Sequence, residues 1–271
     1  MGSNNKKAQD EERRSRSLML YGTGEAAPSE SVRQHFGIFS LALSGPIAIA
    51  IDKALLERDH EFSRGSDGLE LVRGLIPQTA AEVWAARQIV LGGLAPLMVL
   101  HHARGLYEAH AMAHWMFRDF DSRWERLLKD ALRERQRFEA AARASIGEVA
   151  SDLTDLGRAL VDDAAVAPPP SLWDMIPGNP VLQYDHAIFW KYASAFTHPG
   201  SNYTGATDAR SERIMIEQEL AGIIRHSAAV YRLITDHFAL GIGEVAGALR
   251  EAEEYSRYSF DVPAALGGAV R

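Results

Sequence analysis

The chain has 271 residues, a net charge of -7 and no cysteine. Without cysteine there is no disulfide, no thiolate nucleophile and no cysteine-ligated zinc, and a reducing, cytoplasmic setting is expected. The negative balance excludes bulk attraction to nucleic acid or to an anionic membrane, although a local basic patch stays open.

Residues 1–30 are polar and mixed in charge, which predicts a flexible arm, and the first 17 residues hold no apolar core of signal-peptide length. Ser29 or Ser31 is placed to cap a first helix from Val32 to about Glu61, kinked or split at Gly45–Pro46. Ser66–Asp67 opens a short helix that Pro77 should stop, and Thr79 then caps a helix to Leu91 with Glu82 at the capping-box position. Gly92–Gly93 and Pro96 break the chain before the next element. The uncharged runs Phe36–Ile51 and Gln88–Ala103 are each 16 residues long. A membrane span needs roughly 20 apolar residues, so both are expected to be buried helices of a protein with no membrane span.

Residues 96–118 form the predicted central helix. The run PLMVLHHARGLYEAHAMAHWMF is apolar nearly all round yet carries His101, His102, Arg104, Glu108, His110 and His114. A helix apolar on every side belongs in a core, and charged groups there need partners. From Asp121 or Ser122 a long amphipathic helix is expected to run to about Asp163, with Trp124, Leu127, Leu132, Phe138, Ile146, Leu153 and Leu160 at helical spacing. Its first half carries Arg123, Arg126, Lys129, Arg133, Arg135, Arg137 and Arg143 among several acids. Such a strip faces RNA or, as mixed signs more often indicate, solvent.

Residues 164–180 read as a linker, stiff at Pro168–Pro170, with Trp173 expected to pack the loop SLWDMIPGNP onto the bundle. Tyr184–His198 is the predicted helical partner of the central helix. Asp208 caps a helix to about Leu240, a last helix covers Glu244–Tyr255, and residues 256–271 form a loose tail. Alternating strands with hairpin turns are missing from the pattern. The expected fold is all-α: one domain over 31–255, a bundle of about seven helices around the buried central one.

On the central helix, 100° per residue sets His101, Arg104, Glu108 and Trp115 on one side, and Arg104 and Glu108 can pair. On the later helix Tyr184, Lys191, Ser194 and His198 share a face, with Ser194 and His198 in reach of each other. His198 lies at a helix C-terminus, where the dipole favours the protonated ring and suits a general acid or base. His110 and His114 have the spacing of a helical metal pair, but Ala111 stands where an H-E-x-x-H site needs Glu. No metal or cofactor is expected.

Residues 103–117 and 192–200 together resemble an uncharacterised bacterial all-helical family with an Arg-x3-Glu helix followed by a Tyr-x-Ser-x3-His helix; the matching residues are Arg104, Glu108, Tyr192, Ser194 and His198. The first segment is also similar, through Arg104 and His110, to the Arg-x4-6-His motif of the HEPN superfamily. That resemblance implies a helical bundle, often dimeric, and a metal-independent ribonuclease of a toxin or phage-defence type. Its catalytic set would be Arg104, Glu108, His110, Ser194 and His198, with His101, Lys191 and Tyr192 binding the ligand, and its partners would be RNA and a second copy of the chain. The competing expectation is a non-catalytic helical module that binds a protein or small ligand, in which the same polar residues fix the packing. The low positive charge and Gly105, where the HEPN motif usually has a polar residue, favour the module, whereas the convergence of His and Arg on two core helices favours a site. A weaker third reading has Phe36–Ile51 attach the protein to a membrane.

Overall fold

A helix with an apolar circumference can satisfy it only inside the protein, and residues 99–117 occupy that place. The computed structural model describes residues 27–58, 66–93, 98–147, 155–187 and 209–258. Its helices are α1 (Glu30–Ser44), α2 (Pro46–Glu57), α3 (Ser66–Leu91), α4 (Val99–Phe117), α5 (Phe120–Ile146), α6 (Asp155–Asp162), α7 (Leu172–Met175), α8 (Pro180–Asp185), α9 (Ala209–His237) and α10 (Gly243–Tyr258). No strand occurs among the described residues, so the fold is all-α.

The central helix α4 lies along α9 and also touches α3, α5, α7 and α8. Leu100, Ala103, Leu106, Ala109 and Met116 of α4 share one core with Ile216, Leu220, Ile223, Val230 and Ile234 of α9. On the outside, α1 covers α3, α10 covers α9, and α6 lies on α5. Among the described residues the main partner of the central helix is α9; the expected partner, Tyr184–His198, lies outside the described residues beyond residue 187.

Several boundaries differ from the sequence reading. Pro77 does not stop a helix: α3 runs through it from Ser66 to Leu91. Pro77 is exposed, so the amide it lacks and the carbonyl it frees lie on the water side, where the cost is least. Thr79 is consequently buried in mid-helix and not at a cap. Pro46 does split the first helix, entering α2 at its N-terminus.

The long helix expected to reach Asp163 ends at Ile146, where Gly147 adopts φ +92° and ψ -140°. That backbone is open to glycine and strained for any other residue. α6 and the chain after it return along α5 in the opposite direction. Arg133 meets the Val161 carbonyl, Lys129 those of Asp163 and Val166, and Arg126 those of Ala167 and Pro168.

The segment SLWDMIPGNP, expected as a loop, forms α7 and leads into α8. Trp173 stays exposed, and Met175 and Ile176 supply the buried anchor. At the other end α10 runs beyond Tyr255, and Ser256, assigned to the loose tail, is buried and donates to the Glu253 carbonyl. Short α7 and α8 and the breaks at Pro46 and Gly147 raise the number of helical segments above the seven or so expected.

Candidate functional site

Among the described residues a buried polar cluster joins α4, α8 and α9. A short run of turn chemistry sets α8 in place. Gly178 takes φ +84°, the Asn179 side chain caps the helix by accepting from the amides of Val181 and Leu182, and Pro180 occupies its first turn. The end of α8 then presents Asp185 and His186 to the core. From α4 come Tyr107 and His110, and from α9 come Glu219, Arg225 and His226.

Asp185 organises the cluster. Arg225 donates from Nη2 to both Asp185 oxygens, at 3.0 and 2.8 Å, and His226 Nε2 lies 3.2 Å from Oδ2. Burial on its own would raise the Asp185 carboxyl, but His226 and Arg225 outweigh it and hold the group below its usual range. It is therefore a carboxylate, and His226 Nε2 carries the proton donated to it. The two Nδ1 atoms of His226 and His110 are 3.0 Å apart, which requires one proton between them. With its Nε2 protonated, neutral His226 accepts at Nδ1 and His110 donates. Burial holds both imidazoles neutral: it lowers His226, partly opposed by Asp185, and lowers His110 well below 6.5 with help from His226 and nearby cations.

Tyr107 continues the cluster. Burial, together with the charges of Asp185 and Glu108, raises its phenol, which keeps its proton and donates to His186 Nδ1 at 2.9 Å. Its ring meets His226 edge-on, with centroids 5.5 Å apart, and Trp173 leans on His186 at 4.9 Å. Glu219 lies one side of Gly222 from Arg225, is 5% exposed, and its Oε1 has no hydrogen-bond partner among the described residues. Burial and the Asp185 charge, opposed by Arg225, push its carboxyl up to about 8, so it is mostly protonated at neutral pH.

The sequence-predicted residues divide into four groups. Arg104 and Glu108 do pair, Nε to Oε1 at 2.8 Å, on a partly open face with side chains 20% and 35% exposed. His101 is exposed beside His102, whose Nδ1 contacts Glu82 Oε2 at 2.5 Å. Glu82 therefore serves α4 and not a capping box. A side chain at Gly105 would meet the same carboxylate at 3.3 Å, a local packing reason for glycine there. His110 turns inward to His226, away from the Arg104–Glu108 pair. Lys191, Tyr192, Ser194 and His198 lie outside the described residues. Glu219, Arg225 and His226 were missed, although residues 219–231 are, like 96–117, an apolar stretch interrupted by charged groups.

The basic strip is largely committed to the fold. Arg123 and Arg126 stack on Trp115 at 5.0 and 5.1 Å, and Arg123 also donates to the Trp115 carbonyl. Arg135 and Arg137 pair with Glu139 and Glu134. Lys129 is 1% exposed and holds the chain at 163–166. Its hydrogen bonds to carbonyls are each worth ~1.5–3 kcal/mol. Lys129→Ala is accordingly expected to speed proteolytic nicking between residues 160 and 170 at least about tenfold, with little loss of helicity by circular dichroism. An unchanged nicking rate would show that Arg126 suffices.

Among the described residues no group of three or more His, Asp or Glu is arranged to hold a metal ion. No protein-family model, curated protein or solved structure matches the chain.

Proposed function

We propose that the chain is a non-catalytic helical binding module whose Tyr107, His110, Asp185, His186, Arg225 and His226 network is architectural. One observation carries this reading: Asp185, His226 and His110 are each under a tenth exposed, and the protons on their shared contacts are all accounted for between them. A general acid or base has to reach substrate, and these imidazoles are spent on one another. The commitment of Arg123, Arg126 and Lys129 to protein carbonyls and to Trp115 adds support, since it removes cations that an RNA strip would use.

A metal-independent ribonuclease of HEPN type is the second reading. It is favoured by Arg104 and Glu108, the sequence-predicted pair that stays on an accessible face. There Arg104 would hold phosphate and Glu108 would orient it, with proton transfer left to His198. Incubating the purified chain with varied RNAs in EDTA separates the two. The module reading expects no cleavage by the wild type. Cleavage that disappears in a folded Arg104→Ala variant would replace it with the nuclease.

A further inference from the structure

We infer that the outer face of α1–α2, together with the neighbouring edge of α3, docks a second copy of this chain in an antiparallel twofold arrangement. The uncharged run over α1–α2 was expected to be buried, but only 33% of its most apolar window is. One stripe of exposed or half-exposed positions runs along both helices: Gln34, Ile38, Leu41, Gly45, Ile49, Lys53 and Leu56. Every step is three or four residues, so the positions fall along one side of the helices. Ile38 is 64% exposed and Ile49 69%. Beside the stripe, Trp84 and Leu91 of α3 are also exposed, and Leu91 packs 3.6 Å from where a Gly37 side chain would begin. Between α1 and α3 lies a groove of about 460 Å³ lined by Ile38, Leu41 and Leu91 together with the polar Glu30, Arg33, Gln34 and Arg87.

The stripe is complementary to itself. With the twofold axis at Gly45, Leu41 faces Ile49 of the other copy, Ile38 faces its Asp52, whose carboxylate is already paired with Arg73, and Gln34 faces its Leu56, which meets the groove. Arg33 faces the other copy's Glu57, so the charged ends attract. Each already has a neighbour of opposite sign, Glu30 for Arg33 and Lys53 for Glu57, and the pairing extends both into one alternating set. Gly45 at the crossing lets the backbones come close. A face roughly 40 Å long and two helices wide offers roughly 800 Å² per copy, the size of a standard specific interface. A lipid surface fits less well: the chain carries -7 overall, and acids flank the stripe at Glu30, Asp52 and Glu57.

This assignment names a partner for the binding-module reading and rests on it. RNA cleavage would sink that reading without changing the association state, whereas a monomer would sink the dimer and leave the module. The test is sedimentation equilibrium of the full chain. Wild type is expected at twice the chain mass in the micromolar range. Ile38→Glu and Ile49→Glu should each weaken association at least tenfold with unchanged helicity by circular dichroism, since both positions are exposed. The chain has no cysteine, so register can be read directly: Leu41→Cys chains mixed with Ile49→Cys chains should form a mixed disulfide on oxidation, and Ile146→Cys chains, at an exposed site on α5, should not. A monomeric wild type, a dimer indifferent to both glutamates, cross-linking no better than the Ile146 control, or a monomer that floats with anionic vesicles would each overturn the proposal.

Discussion

Asp185→Ala is expected to destabilise the protein by about 3–5 kcal/mol, the usual cost of stripping one partner from a buried ion pair. The Arg225 guanidinium, with its side chain 15% exposed, would lose both of its contacts to Asp185, and His226 would lose the acceptor for its Nε2 proton. For a domain of this size the loss corresponds to a melting point lower by roughly 6–20 °C. In urea the midpoint should fall while the slope stays constant, the mark of a change in stability and not in compactness. Removing both charges should be far milder, because the cost comes mainly from a buried charge that has lost its counter-charge. Asp185→Leu/Arg225→Met is therefore expected to regain much of the stability. A loss under about 1 kcal/mol in Asp185→Ala would show that Arg225 reaches water, and the account of a buried clamp would fall.

The pH dependence of stability should have a maximum near 6.5, with a different group shaping each side. Glu219 sets the alkaline side. Its folded value is about 8 against an ordinary 4.5, so across that interval the folded chain holds a proton that the unfolded chain has released. The stability it contributes is fully present below 4.5 and is lost as pH rises through 8, at ~1.4 kcal/mol per pH unit. Between pH 6.5 and 8 this amounts to about 2 kcal/mol. The histidines set the acid side. His110 and His226 are held below 6.5 by burial, as are His114 and His237 to a lesser degree of burial. As pH falls below 6.5 the unfolded chain takes up these protons first, and stability drops. Glu219→Gln keeps the shape of the side chain and cannot ionise, so it should flatten the alkaline side and leave the acid side in place. Urea unfolding from pH 5 to 9 reads both. The same loss between pH 6.5 and 8 in Glu219→Gln would assign the alkaline side to another group.

What could be read from the chain without its fold is what depends on neighbours a few residues apart. The all-round apolar pattern marked residues 96–118 as the central helix, and α4 occupies Val99–Phe117. The four-residue step joined Arg104 to Glu108, because a helix brings those positions together wherever it lies. Pro46 split a helix as its chemistry predicts. Local rules failed where their outcome depended on which side faces water. Pro77 is tolerated because its position on α3 is exposed, and the periodic pattern gave no warning of the break at Gly147 because apolar residues keep their spacing on both sides of it.

The cluster around Asp185 belongs to the tertiary structure. His110 and His226 are 116 residues apart, and Asp185 lies 40 residues before Arg225. Their contacts follow from the placement of α9 along α4 and from the cap that aims α8. Composition could mark Glu219, Arg225 and His226 as charges on an apolar helix, but not name their partners. Protonation follows the same division. The sequence specifies which groups can titrate, whereas burial, set by the packing of α4, α8 and α9, keeps the two imidazoles neutral and Glu219 protonated while Arg225 and His226 keep Asp185 charged.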